Sequence, residues 1–284
     1  MSMTMKSIIL AVDKDSSGGA IAIAAKLAKR LDAHVTMVHF GNRAAFGEDA
    51  VADVVKSLER SRVTFDIHIE EPTSGATIAE NLVNLAQDLD GDLIVLGSRG
   101  RPAPLATLFG SVSREVARGA HVPVLIVRDA AQQLAPPARL LLVVTEDTLR
   151  TTELDAGIEL ARGLGAAVTI LHVHGLLEDA VEDLLRVPAS RRPDHIANLL
   201  LAKLGAAGIE ANLVIADNRD GLAMEITRAA RVAGCDLIVI PAGTSDVAER
   251  WVLGTVEEEV GRRSGSPVLV APPTDSARTG RGER

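Results

Sequence analysis

The chain has one cysteine, no tyrosine, one tryptophan and four phenylalanines in 284 residues. A single cysteine, Cys235, cannot close an intramolecular disulfide, and a free thiol belongs in a reducing compartment, so the expected location is cytoplasmic. With aromatics at 2% of the chain, cores must be built from Val, Leu, Ile and Ala. The stacking platforms that single-stranded nucleic-acid binders use are lacking. A basic excess is lacking too. The formal net charge is -8, and residues 1–135 carry 14 basic against 16 acidic residues while the remainder carries 16 against 22. Binding to a phosphate backbone needs clustered Lys and Arg, so no nucleic-acid partner is expected. The apolar run Ile8 to Val12 after Lys6 is too short for a signal peptide or a membrane span, so no membrane association is expected.

What is present is core material, with 47% hydrophobic and 24% charged residues, as a globular protein needs. The length suits two domains of about 140 residues each, and the sequence repeats itself accordingly. Ser7 to Ser16 matches Arg139 to Thr148, and His34 to Phe40 matches Ala167 to Val173. Asp92 to Leu96 (DLIVL) matches Asp236 to Ile240 (DLIVI), and Val122 to Val127 matches Ser266 to Ala271. Pro123 and Pro267 are 144 residues apart, as are Asp92 and Asp236.

Short, nearly continuous β-branched runs alternating with helical stretches are what a parallel sheet buried on both faces requires. The expected fold is therefore α/β, with two tandem five-stranded parallel sheets and right-handed crossovers. Strands are expected near 7–13, 34–40, 63–70, 92–97 and 122–128, with helices near 17–31, 48–61, 75–89 and 111–119. The second half repeats this from 139 to 272, with Glu210 to Ala216 as its third strand. The expected domains are residues 1–130 and 139–272. An extended linker runs through Pro136 and Pro137, and a flexible tail covers 273–284.

In an open parallel sheet, ligands bind beyond the carboxyl ends of the strands. After its fourth strand the first half reads Gly97, Ser98, Arg99, Gly100, nine residues, then Gly110 and Ser111, where the next helix starts. Such glycines let the backbone approach a ligand, and loop amides can form an anion-binding nest. The first amides of the following helix, at Ser111, Val112 and Ser113, add donors aimed at phosphate. Asp13, at the end of the first strand, has oxygens suited to a base amino group or a ribose hydroxyl. Phe40, closing the second strand, supplies an apolar wall.

The spacing Gly-x2-Gly-x9-Gly-Ser, after a DLIVL strand and before a helix and PVLIV, resembles the universal stress protein family. The resemblance covers both halves, and the first carries the motif of the ATP-binding branch. It implies the adenine nucleotide alpha hydrolase-like architecture, with ATP, with or without Mg, as ligand and at most weak hydrolysis. It also implies dimerisation through the last strand, here as a homodimer or as an internal pseudo-dimer. By position, base and ribose contacts fall on Ala11, Asp13, Phe40 and Leu96. Phosphate contacts fall on Gly97, Arg99, Gly100, Gly110, Ser111, Val112 and Ser113.

The second half departs from this pattern. Thr145 stands for Asp13, Pro241 for Gly97 and Thr244 for Gly100, while Gly254 and Thr255 match Gly110 and Ser111. Proline removes an amide donor and threonine disfavours positive φ, so weak or no nucleotide binding is expected there. Trp251 and Arg250 stand in that loop.

Other chemistries lack support. No Gly-x4-Gly-Lys-Ser/Thr occurs, and no Gly-x-Gly-x2-Gly follows a strand. His172 and His174 could share a strand face, but two ligands do not make a metal site. His39 reads as a strand-end residue, His121 as a loop histidine and Cys235 as a small buried apolar residue. Glu257 to Glu259 suit the positive end of a helix dipole. No Asp or Glu lies between Gly97 and Ser113, so a general base near the phosphates is lacking. The expectation is a nucleotide-dependent stress or signalling regulator, with a nucleotide-independent interaction module or a slow ATPase as alternatives.

Overall fold

The computed structural model describes residues 5–13, 18–41, 48–98, 111–128, 139–144, 155–174, 193–218, 220–241, 260 and 264–272. The first half runs β1 (Ser7–Ala11), α1 (Gly18–Leu31), β2 (His34–Phe40), α2 (Glu48–Ser61), β3 (Phe65–Glu70), α3 (Ile78–Asp88), β4 (Leu93–Ser98), α4 (Ser111–Gly119) and β5 (Val124–Arg128). The second runs β6 (Arg139–Val144), α5 (Asp155–Leu164), β7 (Ala167–His174), α6 (Pro193–Ala206), β8 (Ala211–Asp217), α7 (Leu222–Ala233), β9 (Leu237–Pro241) and β10 (Val268–Ala271). The linker, the C-terminal tail, Trp251 and most of the helix expected after Thr255 lie outside the described residues.

The ten strands form one sheet in the order β3-β2-β1-β4-β5-β10-β9-β6-β7-β8. Within each half every pairing is parallel, as the apolar strand runs require. The halves join through β5 and β10, which run antiparallel with Val124, Leu125 and Ile126 opposite Val270, Leu269 and Val268. The two expected five-stranded sheets are thus fused at their last strands within one chain.

Alternating strand residues feed two cores, one on each face of the sheet. On one face Ile8, Leu10, Met37, Val95, Leu125, Leu142, Val239 and Leu269 pack under α1, α2, α5 and α6. On the other, Ile9, Val38, Ile94, Ile126, Leu141, Ile238 and Val270 pack under α3, α4 and α7. Both cores cross the joint between the halves. Helices α1 and α5 also meet there, with the Leu31 side chain filling the space that a Cβ on Gly163 would need.

Matching turns recur where a helix hands over to a strand. Asp32, Arg62 and Asp90 have φ of 50°, 56° and 49°, and at the corresponding places stand Gly165, Gly208 and Gly234 with 62°, 72° and 62°. Asp92 Oδ2 accepts the N–H groups of Lys6 and Ser7 at 2.8 and 3.0 Å, which anchors the start of β1. Asp236 Oδ2 does the same for Arg139 at 2.9 Å at the start of β6.

Candidate functional site

The crossovers out of β1 and β4 lead to opposite sides, toward β2 and β5, which places a topological switch point between these two strands. At its carboxyl edge Ala11, the last residue of β1, pairs with Leu96 of β4 and with Val38 of β2. Ala11 and Phe40 are half-buried and Leu96 is buried, and all three belong to the core on the α3 and α4 face. Ala11, Phe40 and Leu96 therefore lie on one face of three neighbouring strands at this edge.

β1 is shorter than its sequence suggests. Paired strand ends at Ala11, so Asp13 stands two residues beyond the strand and is half-buried. The pairings of β1 with β2 and with β4 both end at Ala11, while Val12 stays tied to β2 through its N–H and the Val38 carbonyl, at 2.9 Å. Asp13 thus projects from an exit segment rather than from a strand end.

Gly97 is half-buried in β4, opposite Val127 of β5. Helix α4 returns from β4 to β5 and packs on both strands through its wholly buried Val116. Just beyond its far end, the Pro123 carbonyl accepts the Ile94 N–H at 2.9 Å, near the start of β4. The first turn of α4, with Ser111 and Val112 exposed and Ser113 buried, therefore stands at the carboxyl edge, on the same side as Ala11, Phe40 and Leu96. The positive end of its dipole therefore stands at this edge of the sheet. Arg99, Gly100 and Gly110 lie outside the described residues, as do Thr145, Thr244, Gly254 and Thr255.

In the other half the same construction differs at its edge. Pro241 ends β9 and pairs with Ala271 of β10, the register that Gly97 and Val127 have in the first half. Proline stands in the paired strand at the point where Gly97 offers a small residue and an amide. Because β5 and β10 are antiparallel, the two switch points open at opposite ends of the sheet.

His39 is a residue that sequence reasoning placed too simply. It shares strand parity with Val35 and Met37, is 7% exposed, and its Nδ1 lies 3.0 Å from the Val12 carbonyl. The signal was a polar residue at an inward position of an apolar strand, where a hydrogen-bond partner is required. Its counterpart His172 is wholly buried on β7, opposite Val144. Among the described residues no group of three or more His, Cys, Asp or Glu is placed to hold a metal ion, and no helix is long and apolar enough to cross a membrane.

The family model described as the universal stress protein family matches residues 4–128 and again 138–272. A universal stress protein of Methanocaldococcus jannaschii is 28% identical over 143 residues, 43% of this chain and 82% of its own length. The universal stress protein YxiE of Bacillus subtilis is 27% identical over 144 residues, covering 43% of this chain and 97% of its own. In fold, the chain is similar to a universal stress protein from Archaeoglobus fulgidus over 96% of this chain and 98% of that one, at a TM-score of 0.67 and 18% identity. With the same family model matching each half in turn, the chain belongs to the universal stress protein family as a tandem of two such domains.

Proposed function

We propose that the chain binds ATP, with or without Mg, at the β1/β4 switch point of its first half, and acts as a nucleotide-dependent stress or signalling regulator in the cytoplasm. The observation that carries this reading is the shared edge at which the Ala11, Phe40 and Leu96 wall, Asp13, Gly97 and the first turn of α4 all stand. In this reading the wall takes the base, Asp13 accepts from the base or ribose, and amides at and after Gly97 and at the start of α4 hold the phosphates. Arg99, Gly100 and Gly110 complete the phosphate cradle by their place in the motif. Pro241 at the position of Gly97 supports one nucleotide per chain, with the second half as the partner domain of an internal pseudo-dimer.

Turnover is at most weak in this reading. The segment from Gly97 to Ser113 holds no carboxylate to act as base or metal ligand. Positioning without a base makes a binding site rather than a catalyst.

Calorimetry with the full chain tests the proposal. One ATP bound per chain is expected, with roughly tenfold weaker binding for Asp13→Ala, the scale of one lost hydrogen bond to a charged group. No heat of binding at millimolar ATP would sink it. Oligomeric state and partner binding that ignore saturating ATP would favour a nucleotide-independent interaction module, and rapid multiple turnovers would favour an ATPase.

A further inference from the structure

We infer that His39 is a positioning residue for the nucleotide site, setting the direction of Asp13 through a hydrogen bond to the Val12 carbonyl. The inference rests on the nucleotide reading above and concerns how that site is held in shape. His39 does not belong to the pocket wall, since it shares the strand face of Val35 and Met37, opposite to that of Val38 and Phe40.

Val12 lies outside the paired residues of β1, and Asp13 follows it. The exit segment is tied to β2 by the Val12 N–H to the Val38 carbonyl at 2.9 Å, and by the Val12 carbonyl to His39 Nδ1 at 3.0 Å. A carbonyl acceptor requires the proton on Nδ1, which fixes the tautomer of the neutral ring. The Val12 carbonyl belongs to the same planar peptide unit as the Asp13 nitrogen, so holding that oxygen fixes the plane from which Asp13 departs. Losing the bond removes this hold on the peptide plane from which Asp13 departs.

The ring is buried at the end of β2, beside Gly41, where a Cβ would stand 2.9 Å from Nε2 and crowd it. Gly41 has φ of 149° and donates its N–H to the Glu70 carbonyl at 2.8 Å, which fixes the strand exit beside the ring. A buried donor with little room to change rotamer suits a fixed orientation of Asp13.

The experiment compares ATP affinity by calorimetry, and thermal stability, for the full chain and the variants His39→Leu, His39→Asn and His172→Leu. Asparagine places its amide N–H near the position of Nδ1, whereas leucine fills space with no donor. His39→Leu is expected to weaken ATP binding roughly tenfold, and His39→Asn to restore most of it. His172→Leu, the matching change in the other half, leaves ATP affinity unchanged. Equal ATP affinity in His39→Leu and the unaltered chain overturns the inference and leaves the nucleotide reading standing. If asparagine is as weak as leucine, the loss is one of packing and the inference fails. If the unaltered chain binds no ATP, the site reading falls and this inference with it.

Discussion

Arg62 and Gly208 hold the same left-handed turn in the two halves, with φ of 56° and 72°. Both are exposed, one after α2 and before β3, the other after α6 and before β8. A Cβ in this conformation crowds the backbone, and arginine lacks the short polar side chain that lets Asp and Asn tolerate it. Arg62→Gly is therefore expected to stabilise the protein by about 0.5 to 1 kcal/mol, less than the full strain because glycine also loses more freedom on folding. Gly208→Arg should cost a similar amount. Urea denaturation of the two variants checks both signs.

The repeat made most of the architecture legible. Strand runs such as DLIVL and DLIVI announce their own burial, and Asp92 and Asp236 proved to be the anchors of β1 and β6. β3, Phe65–Glu70, lies at the sheet edge and is only half-buried, and Ile67 is exposed despite its apolar character. Two matters were not readable. Periodicity says that Val124 to Val127 is buried but does not name its neighbour, so a homodimer and an internal pairing read alike until β10 is seen beside β5. The end of β1 was also misplaced, because Val12 is as apolar as a strand residue although both pairings of β1 end at Ala11. At the site, Ala11, Phe40, Leu96, Gly97 and Ser111 could be put on one edge from strand ends alone. His39 could not, because its role depends on a bond to a backbone carbonyl in another strand.

Packing across the β5–β10 joint should couple the unfolding of the two halves. Leu125 and Leu269 face one another across the β5–β10 joint, both wholly buried in a core that contains residues of both halves. Leu269→Ala should cost about 2 to 4 kcal/mol through lost burial and the cavity left behind. Calorimetry should show a single transition in the parent and in the variant, with the van't Hoff and measured enthalpies equal. Two resolved transitions would mean that the joint is weaker than its packing suggests.

Cys235 sits at the head of β9, where burial pushes its thiol up to about 11, with a smaller upward push from Asp236 and opposing effects of Thr169 and Arg139. A thiol-reactive disulfide reagent at pH 8 should leave the folded protein unmodified and label it on unfolding. The sign of the linkage follows from the raised value. The contribution of the protonated thiol is complete below its ordinary value near 9 and is lost as pH rises through about 11, because the unfolded chain ionises first. Cys235→Ala should therefore show a smaller fall in stability between pH 8 and 11 than the parent. Equal slopes would show that the thiol is in contact with water.

Gly97 and Pro241 occupy the same register in the two halves, and that equivalence gives an asymmetric pair of variants. Gly97→Pro gives the first half the residue of the second, removing one amide from the carboxyl end of β4 and fixing φ near -65°. ATP binding should fall at least about a hundredfold, as expected when a donor to a charged group is lost and the turn beyond it is displaced. The fold should survive, because the second half carries proline in the same paired position beside Ala271. Pro241→Gly should not create a second site, since Thr145 and Thr244 still replace the acceptor and the second turn glycine. Titration of ATP into each variant gives the stoichiometry directly. Binding retained in Gly97→Pro would remove Gly97 from the phosphate site, and two nucleotides per chain in Pro241→Gly would show that proline alone had closed the second half.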